Sequence, residues 1–133
     1  MIPFGLECPE AVAGVEEEAA TVPPSTAGGT LVLCCGSGVT LAGLLLGLPV
    51  RPRRIIGLSS GRSIQKIEAC LRHFAGPLPT GLEILPAAVP YSVALEVACP
   101  FPSHPHYDLK AWDLLQTRLD DLQDPVLFWN TGA

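Results

Sequence analysis

Charge is scarce in this chain. Only 16% of its 133 residues are charged, with 8 Lys and Arg against 13 Asp and Glu, for a net charge of −5. That balance excludes the basic face on which a nucleic-acid binder depends, so no nucleic-acid partner is expected. Long hydrophobic runs are missing too. The longest apolar stretch, Leu41 to Val50, is interrupted by Gly43, Gly47 and Pro49, and it falls well short of the ~20 residues of a bilayer span. Neither a transmembrane helix nor a membrane partner is expected. The amino terminus, Met1-Ile2-Pro3-Phe4-Gly5-Leu6-Glu7, has no basic stretch and meets an acid early, unlike a secretory signal, which points to the cytoplasm. No C-x-x-C pair occurs among the five cysteines, Cys8, Cys34, Cys35, Cys70 and Cys99. Their odd number and apolar settings predict reduced, mostly buried thiols, and zinc-ligand spacing is absent, so no metal is expected.

Apolar residues are plentiful, at 48% of the chain. That excludes the polar, highly charged composition of disordered chains and supports one packed domain over 1–133. Residues 1–29 read as an irregular lead-in with a short helix over Glu10–Ala20, ending in the breaker Pro23-Pro24-Ser25-Thr26-Ala27-Gly28-Gly29. Residues 30–133 read as an α/β core. Thr30-Leu31-Val32-Leu33-Cys34-Cys35 is a continuous apolar run flanked by glycines, the pattern of a strand covered on both faces of a parallel sheet. Gly36-Ser37-Gly38-Val39-Thr40 turns into an apolar helix over Leu41–Leu48, which stops at Pro49. Arg53–Leu58 is a second strand, and Ser63 can cap a helix that sets Ile64, Ile67, Leu71 and Phe74 on one face. Leu82–Leu85 is a short strand. Asp108–Leu122 reads as a helix with Ala111, Leu114, Leu115, Leu119 and Leu122 along one side, and Val126–Trp129 as a closing strand. This alternation predicts a three-layer α/β/α fold with a mainly parallel sheet. Ligands of such sheets bind at the carboxyl ends of strands, so the turns after Cys35, Ser59 and Trp129 are the places for a site.

The first of these turns carries the strongest signal. A covered strand, then Gly36-Ser37-Gly38-Val39-Thr40, then a helix can aim backbone N–H groups and hydroxyls at a phosphate. The alternative is a tight strand-to-helix turn with no ligand. A dinucleotide fingerprint would need Gly where Leu41 stands, and a Walker A loop would need a Gly-Lys-Ser/Thr ending.

Gly36-Ser37-Gly38-Val39-Thr40-Leu41-Ala42-Gly43-Leu44 followed by Arg54-Ile55-Ile56-Gly57-Leu58 resembles the phosphate loop, helix and next strand of the fold type II pyridoxal-phosphate enzymes, the tryptophan synthase β-like superfamily. The nearest branch is that of the 1-aminocyclopropane-1-carboxylate deaminases and D-cysteine desulfhydrases. The resemblance implies that Gly36, Ser37, Gly38, Val39 and Thr40 hold the phosphate of pyridoxal 5'-phosphate, with Val39 in place of the family's usual third glycine. His104-Pro105-His106-Tyr107-Asp108-Leu109-Lys110-Ala111 resembles a family segment that starts a helix. This places Asp108 against the pyridine nitrogen, where a carboxylate keeps the nitrogen protonated, and Tyr107 beside substrate or cofactor. Without the resemblance, Asp108 is equally a carboxylate at a helix N-terminus, and His104 and His106 are loop residues. Asn130-Thr131-Gly132-Ala133 resembles the family's turn near the ring, which implicates Thr131.

The resemblance runs from about Gly29 onward and matches the carboxyl-terminal part of a longer polypeptide, so the fold is expected to be incomplete relative to the whole family fold. The family's Schiff-base lysine lies in the unmatched amino-terminal part. Of the two lysines here, Lys66 falls on the polar side of its helix and Lys110 matches a different lysine. No catalytic residue is therefore expected in this chain. The implied function is the carboxyl-terminal part of a deaminase or lyase acting on a small amino acid or amine, a fragment, split gene or degenerate remnant that is inactive alone and completed by the missing amino-terminal part, with a separate amino-terminal chain or a homodimer as candidate partners. The alternatives are a non-catalytic module that binds a phosphorylated ligand or regulates a partner, and a small flavodoxin-like or Rossmann-like nucleotide binder.

Overall fold

Six residues from Thr30 to Cys35 form the central strand β1, buried along its whole length. The computed structural model describes residues 9–59, 62–86, 108–118, 120 and 125–129. Around β1 stand β2 (Arg54–Ser59), β3 (Leu82–Leu85) and β4 (Val126–Trp129), in the order β3-β2-β1-β4. All three pairings are parallel, with Thr30 opposite both Arg54 and Val126, and Ile55 opposite Leu82. Helices α1 (Pro9–Ala19), α2 (Val39–Gly47), α3 (Ile64–Ala75) and α4 (Asp108–Arg118) cover the sheet.

The strand period of two sorts β1 between the layers. Leu31, Leu33 and Cys35 pack with α1, α2 and α3, whereas Val32 and Cys34 pack toward α4 through Leu115 and Ala111. The result is the expected three-layer α/β/α architecture. Its layering follows from the strand order, since β1-α2-β2-α3-β3 steps one way across the sheet and β3-α4-β4 steps back past β1. Right-handed crossovers in opposite directions place their helices on opposite faces.

Local sequence explains each boundary. Ser63 caps α3 by accepting a hydrogen bond from the Lys66 N–H at 3.3 Å. Ile67 and Leu71 are buried and Lys66 is exposed, as the amphipathic spacing predicts. After α1, the prolines give a single 3-10 turn, Pro24–Thr26, where the Thr26 hydroxyl donates to the Pro23 carbonyl at 2.8 Å. On β3, Glu83 accepts from Arg54 of β2 at 3.4 Å and pairs with Arg118 of α4 at 3.5 Å. These side chains are partly exposed, so each pair contributes at most about 1 kcal/mol. Among the described residues no helix is long and apolar enough to cross a membrane.

Candidate functional site

Packing along α4 fixes which end of the sheet its first residue occupies. Ala111 packs on Cys34 and Leu58, and Leu115, one turn later, on Val32 and Ile56, two residues earlier in each strand. Hence α4 runs antiparallel to the strands, and Asp108, a turn before Ala111, lies at their carboxyl ends. The turn after β1 opens at the same edge. Because the chain steps from β1 to β2 on one side and reaches β4 on the other, the gap between β1 and β4 is the topological switch point. Open α/β sheets form their ligand crevice there.

Within the turn, Gly38 has φ +101° and ψ −7° and caps α2. An L side chain is strained there, which accounts for one glycine of the pair. Space accounts for it again, since a Cβ at 38 would stand 3.2 Å from the Ile67 carbonyl oxygen and 3.3 Å from both Cβ and Sγ of Cys70. Gly38 thus turns its bare side toward α3. The turn itself ends earlier than the sequence suggests. Val39 and Thr40 belong to α2, which begins at Val39 rather than Leu41, because the glycine absorbs the whole change of direction and leaves its successor free to be helical. Val39 then buries its β-branched side chain in the core.

A helix start leaves its first N–H groups without intrahelical acceptors, so Val39, Thr40 and Leu41 present theirs at this edge. The first helical bond is Ala42 N–H to the Gly38 carbonyl, 2.9 Å. The Val39 N–H also reaches the Ser37 hydroxyl oxygen at a long 3.4 Å. Ser37 retains its own proton to donate, and Thr40, half-buried, adds a second hydroxyl. No carboxylate occurs from Gly36 to Thr40. These features suit an anion such as a phosphate. At the neighbouring turn the Ser59 hydroxyl donates to the Arg62 carbonyl at 2.6 Å, holding the entry to α3.

Beneath the turn, burial and then the nearby Cys70 push the Cys35 thiol up to about 12. It stays protonated at neutral pH and places no negative charge under a bound anion. Cys34, Cys35 and Cys70 are buried and form no disulfide, as expected, while Cys8 and Cys99 lie outside the described residues. We expect these three to resist iodoacetamide at pH 8 and to react fully once urea unfolds the chain, because the thiolate is the nucleophile. Peptide mass mapping reads the difference site by site, and rapid native labelling of Cys35 would contradict its burial. A folded-state value of about 12 against 9.0 for the free thiol also predicts a stability that is full below pH 9 and falls as pH rises toward 12.

Of the residues singled out from sequence, the structure brings Gly36, Ser37, Gly38, Val39 and Thr40 together at the carboxyl edge and sets the backbone of Asp108 at the same edge. Tyr107, Thr131, His104 and His106 lie outside the described residues. Lys110, which sequence analysis gives no role, is only 4% exposed. Lysine is seldom buried so fully unless paired, and the charge pattern of α4 gives no hint of it. Among the described residues no cluster of three or more His, Cys, Asp or Glu could hold a metal ion.

No protein-family model matches the chain. Among curated proteins, it is 32% identical over 143 aligned residues to one from Pseudomonas phage M6 named as a glycyl-dTMP PLP-dependent decarboxylase. The alignment takes in 99% of this chain and 51% of that protein. The chain is therefore similar, over nearly all of its own sequence, to a pyridoxal-phosphate-dependent decarboxylase, and it spans about half of that relative's length.

Proposed function

We propose that this chain is the cofactor-holding part of a pyridoxal-phosphate-dependent lyase of the fold type II, tryptophan synthase β-like kind. The observation that carries the proposal is the glycine turn at the switch point, in a chain whose curated relative uses that cofactor. The N–H groups of Val39, Thr40 and Leu41 and the hydroxyls of Ser37 and Thr40 bind and orient the phosphate. Asp108, at the same edge, keeps a proton on the pyridine nitrogen, as the deaminase and desulfhydrase branch implies. When bound, the cofactor supplies an electron sink for the pair left at an amino-bearing carbon when a bond to that carbon breaks.

Two outcomes compete for which bond breaks. The relative's name favours loss of a carboxyl group from a glycyl unit carried on a nucleotide, and the resemblance of the Tyr107–Ala111 segment favours deamination or elimination. In either case the substrate is small and amino-acid-like. A net charge of −5 disfavours a nucleic-acid polymer in this site. The reduced thiols fit a cytoplasmic setting. Completion of the site, and the lysine that carries the cofactor, come from the part of the enzyme that corresponds to the unmatched half of the relative.

The visible spectrum of the purified chain with pyridoxal phosphate, before and after borohydride, tests this division of labour. Reversible binding with no borohydride-trapped adduct is expected. A covalent adduct on Lys66 or Lys110 would mean that this chain carries its own lysine, and no binding at all would favour a module for another phosphorylated ligand.

A further inference from the structure

Cys70 is a buried thiol for which the proposed chemistry finds no use. It sits on the inward face of α3 with Ile67 and Leu71, all three buried. Burial alone asks only for a small apolar side chain there. Its position asks for more. Both Cβ and Sγ of Cys70 stand 3.3 Å from the point that a Cβ on Gly38 would occupy, so the sulfur lies directly against the bare side of the glycine. Cys70 is also the neighbour that, after burial, raises the Cys35 thiol, which sets the two sulfurs together beneath the turn.

Which side yields to a change of size follows from how each is held. Ser63 caps α3, and Ile67 and Leu71 lock the helix into the core. Gly38 is less constrained, because a residue without a Cβ changes φ and ψ at small cost. Extra volume at position 70 is therefore relieved at Gly38, whose dihedrals aim everything that follows. Its carbonyl accepts the first helical bond of α2, from Ala42 at 2.9 Å, and Val39, Thr40 and Leu41 come immediately after it. A shift at Gly38 re-aims their N–H groups.

We propose that Cys70 is a positioning residue: its side chain is the seat that fixes Gly38, and through it the direction of the Val39, Thr40 and Leu41 N–H groups toward the phosphate. This rests on the reading above that the turn holds the phosphate of the cofactor, and it adds the residue, distant in sequence, whose size sets that grip. Cys70 itself meets no ligand.

The test measures, for the whole chain and its variants, the urea midpoint and the affinity of the folded protein for pyridoxal phosphate. Cys70→Leu extends the side chain beyond the sulfur and into the turn. It is expected to weaken binding at least ~10-fold, with the Ser37 to Leu41 amide signals displaced before any ligand is added. Cys70→Ser keeps the size, and its hydroxyl can bond back to a carbonyl of its own helix. It is expected to lower the urea midpoint yet to bind within ~3-fold of the unsubstituted chain. A merely structural cysteine would instead lose affinity in step with stability. Should Cys70→Leu fail to fold, Cys70→Ala decides, since removal of the sulfur unseats the turn and is expected to move the same amides and to weaken binding ~3-fold or more. Unmoved Ser37 to Leu41 amides in the variant that folds, or an equal loss of affinity in Cys70→Ser and Cys70→Leu, overturns the proposal. If the unsubstituted chain binds no pyridoxal phosphate, the cofactor reading falls, and the amide signals alone decide whether Cys70 seats the turn.

Discussion

Gly38→Ala is expected to lower stability by about 2–4 kcal/mol and to weaken pyridoxal phosphate binding by at least ~10-fold. Two independent costs meet at this residue. The positive φ of 101° penalises any L side chain, by roughly 1–3 kcal/mol. The added methyl also stands 3.2 Å from the Ile67 carbonyl oxygen and 3.3 Å from the Cys70 Cβ and Sγ. Backbone and a buried thiol give way less readily than the tip of an exposed side chain. Relief requires either a shift of α3 or a rotation of the first turn of α2, and the second moves the Val39 and Thr40 N–H groups that the phosphate is proposed to meet. Urea titration would show a lower midpoint with an unchanged slope. Native stability in the alanine variant would contradict the geometry of the cap, whereas lost stability with intact binding would separate the cap from the ligand.

Gly47→Ala should destabilise the chain by about 2–3 kcal/mol, lowering the thermal midpoint by roughly 5–10 °C. Alanine is the better helix former by about 1 kcal/mol in a helix interior, so propensity alone predicts the opposite sign. Packing decides it. Gly43 and Gly47 lie one turn apart on α2 and form the surface on which α1 rests. A Cβ at 47 would run into the backbone of Glu16, and one at 43 would come 2.5 Å from the Val15 Cβ and 2.9 Å from the Val12 carbonyl oxygen. At 47 the obstacle is main chain, so the helices must separate. At 43 the nearest obstacle is the Val15 Cβ, which alanine would keep, so Val15→Gly should partly rescue Gly43→Ala, with a coupling of about 0.5–3 kcal/mol in a double-mutant cycle. No such rescue is available at 47. Stabilisation by Gly47→Ala would mean that α1 does not pack on α2 in this way.

Those glycines show where sequence reading stops. In the sequence they interrupt an apolar run and exclude a membrane span, which says nothing about the helix that lies on them. The strands and the amphipathic α3 were legible because burial on two faces, or on one, leaves a local period. Thus Thr30–Cys35 and the Ile67 and Leu71 face can be recognised without knowing what covers them. The start of α2 was misplaced by two residues, since a β-branched Val39 after a glycine reads as turn until Gly38 is seen to take the whole change of direction. The site was legible as a location but only partly as a geometry. Glycines mark a turn at the end of a buried strand, yet Gly38 owes its identity partly to Ile67 and Cys70, some thirty residues away in the chain. Burial of Lys110 left no trace at all, because nothing in its immediate sequence distinguishes a covered flank of α4 from a solvated one.

The account turns on an anion held at the first turn of α2. Amide chemical shifts of the isotope-labelled chain, titrated in parallel with pyridoxal phosphate and with pyridoxal lacking the phosphate, test that claim most directly. The expected result is saturable movement of the Ser37 to Leu41 amides with the phosphorylated compound and almost none with the other. Equal shifts with both compounds, or shifts confined to other parts of the sheet, would contradict it.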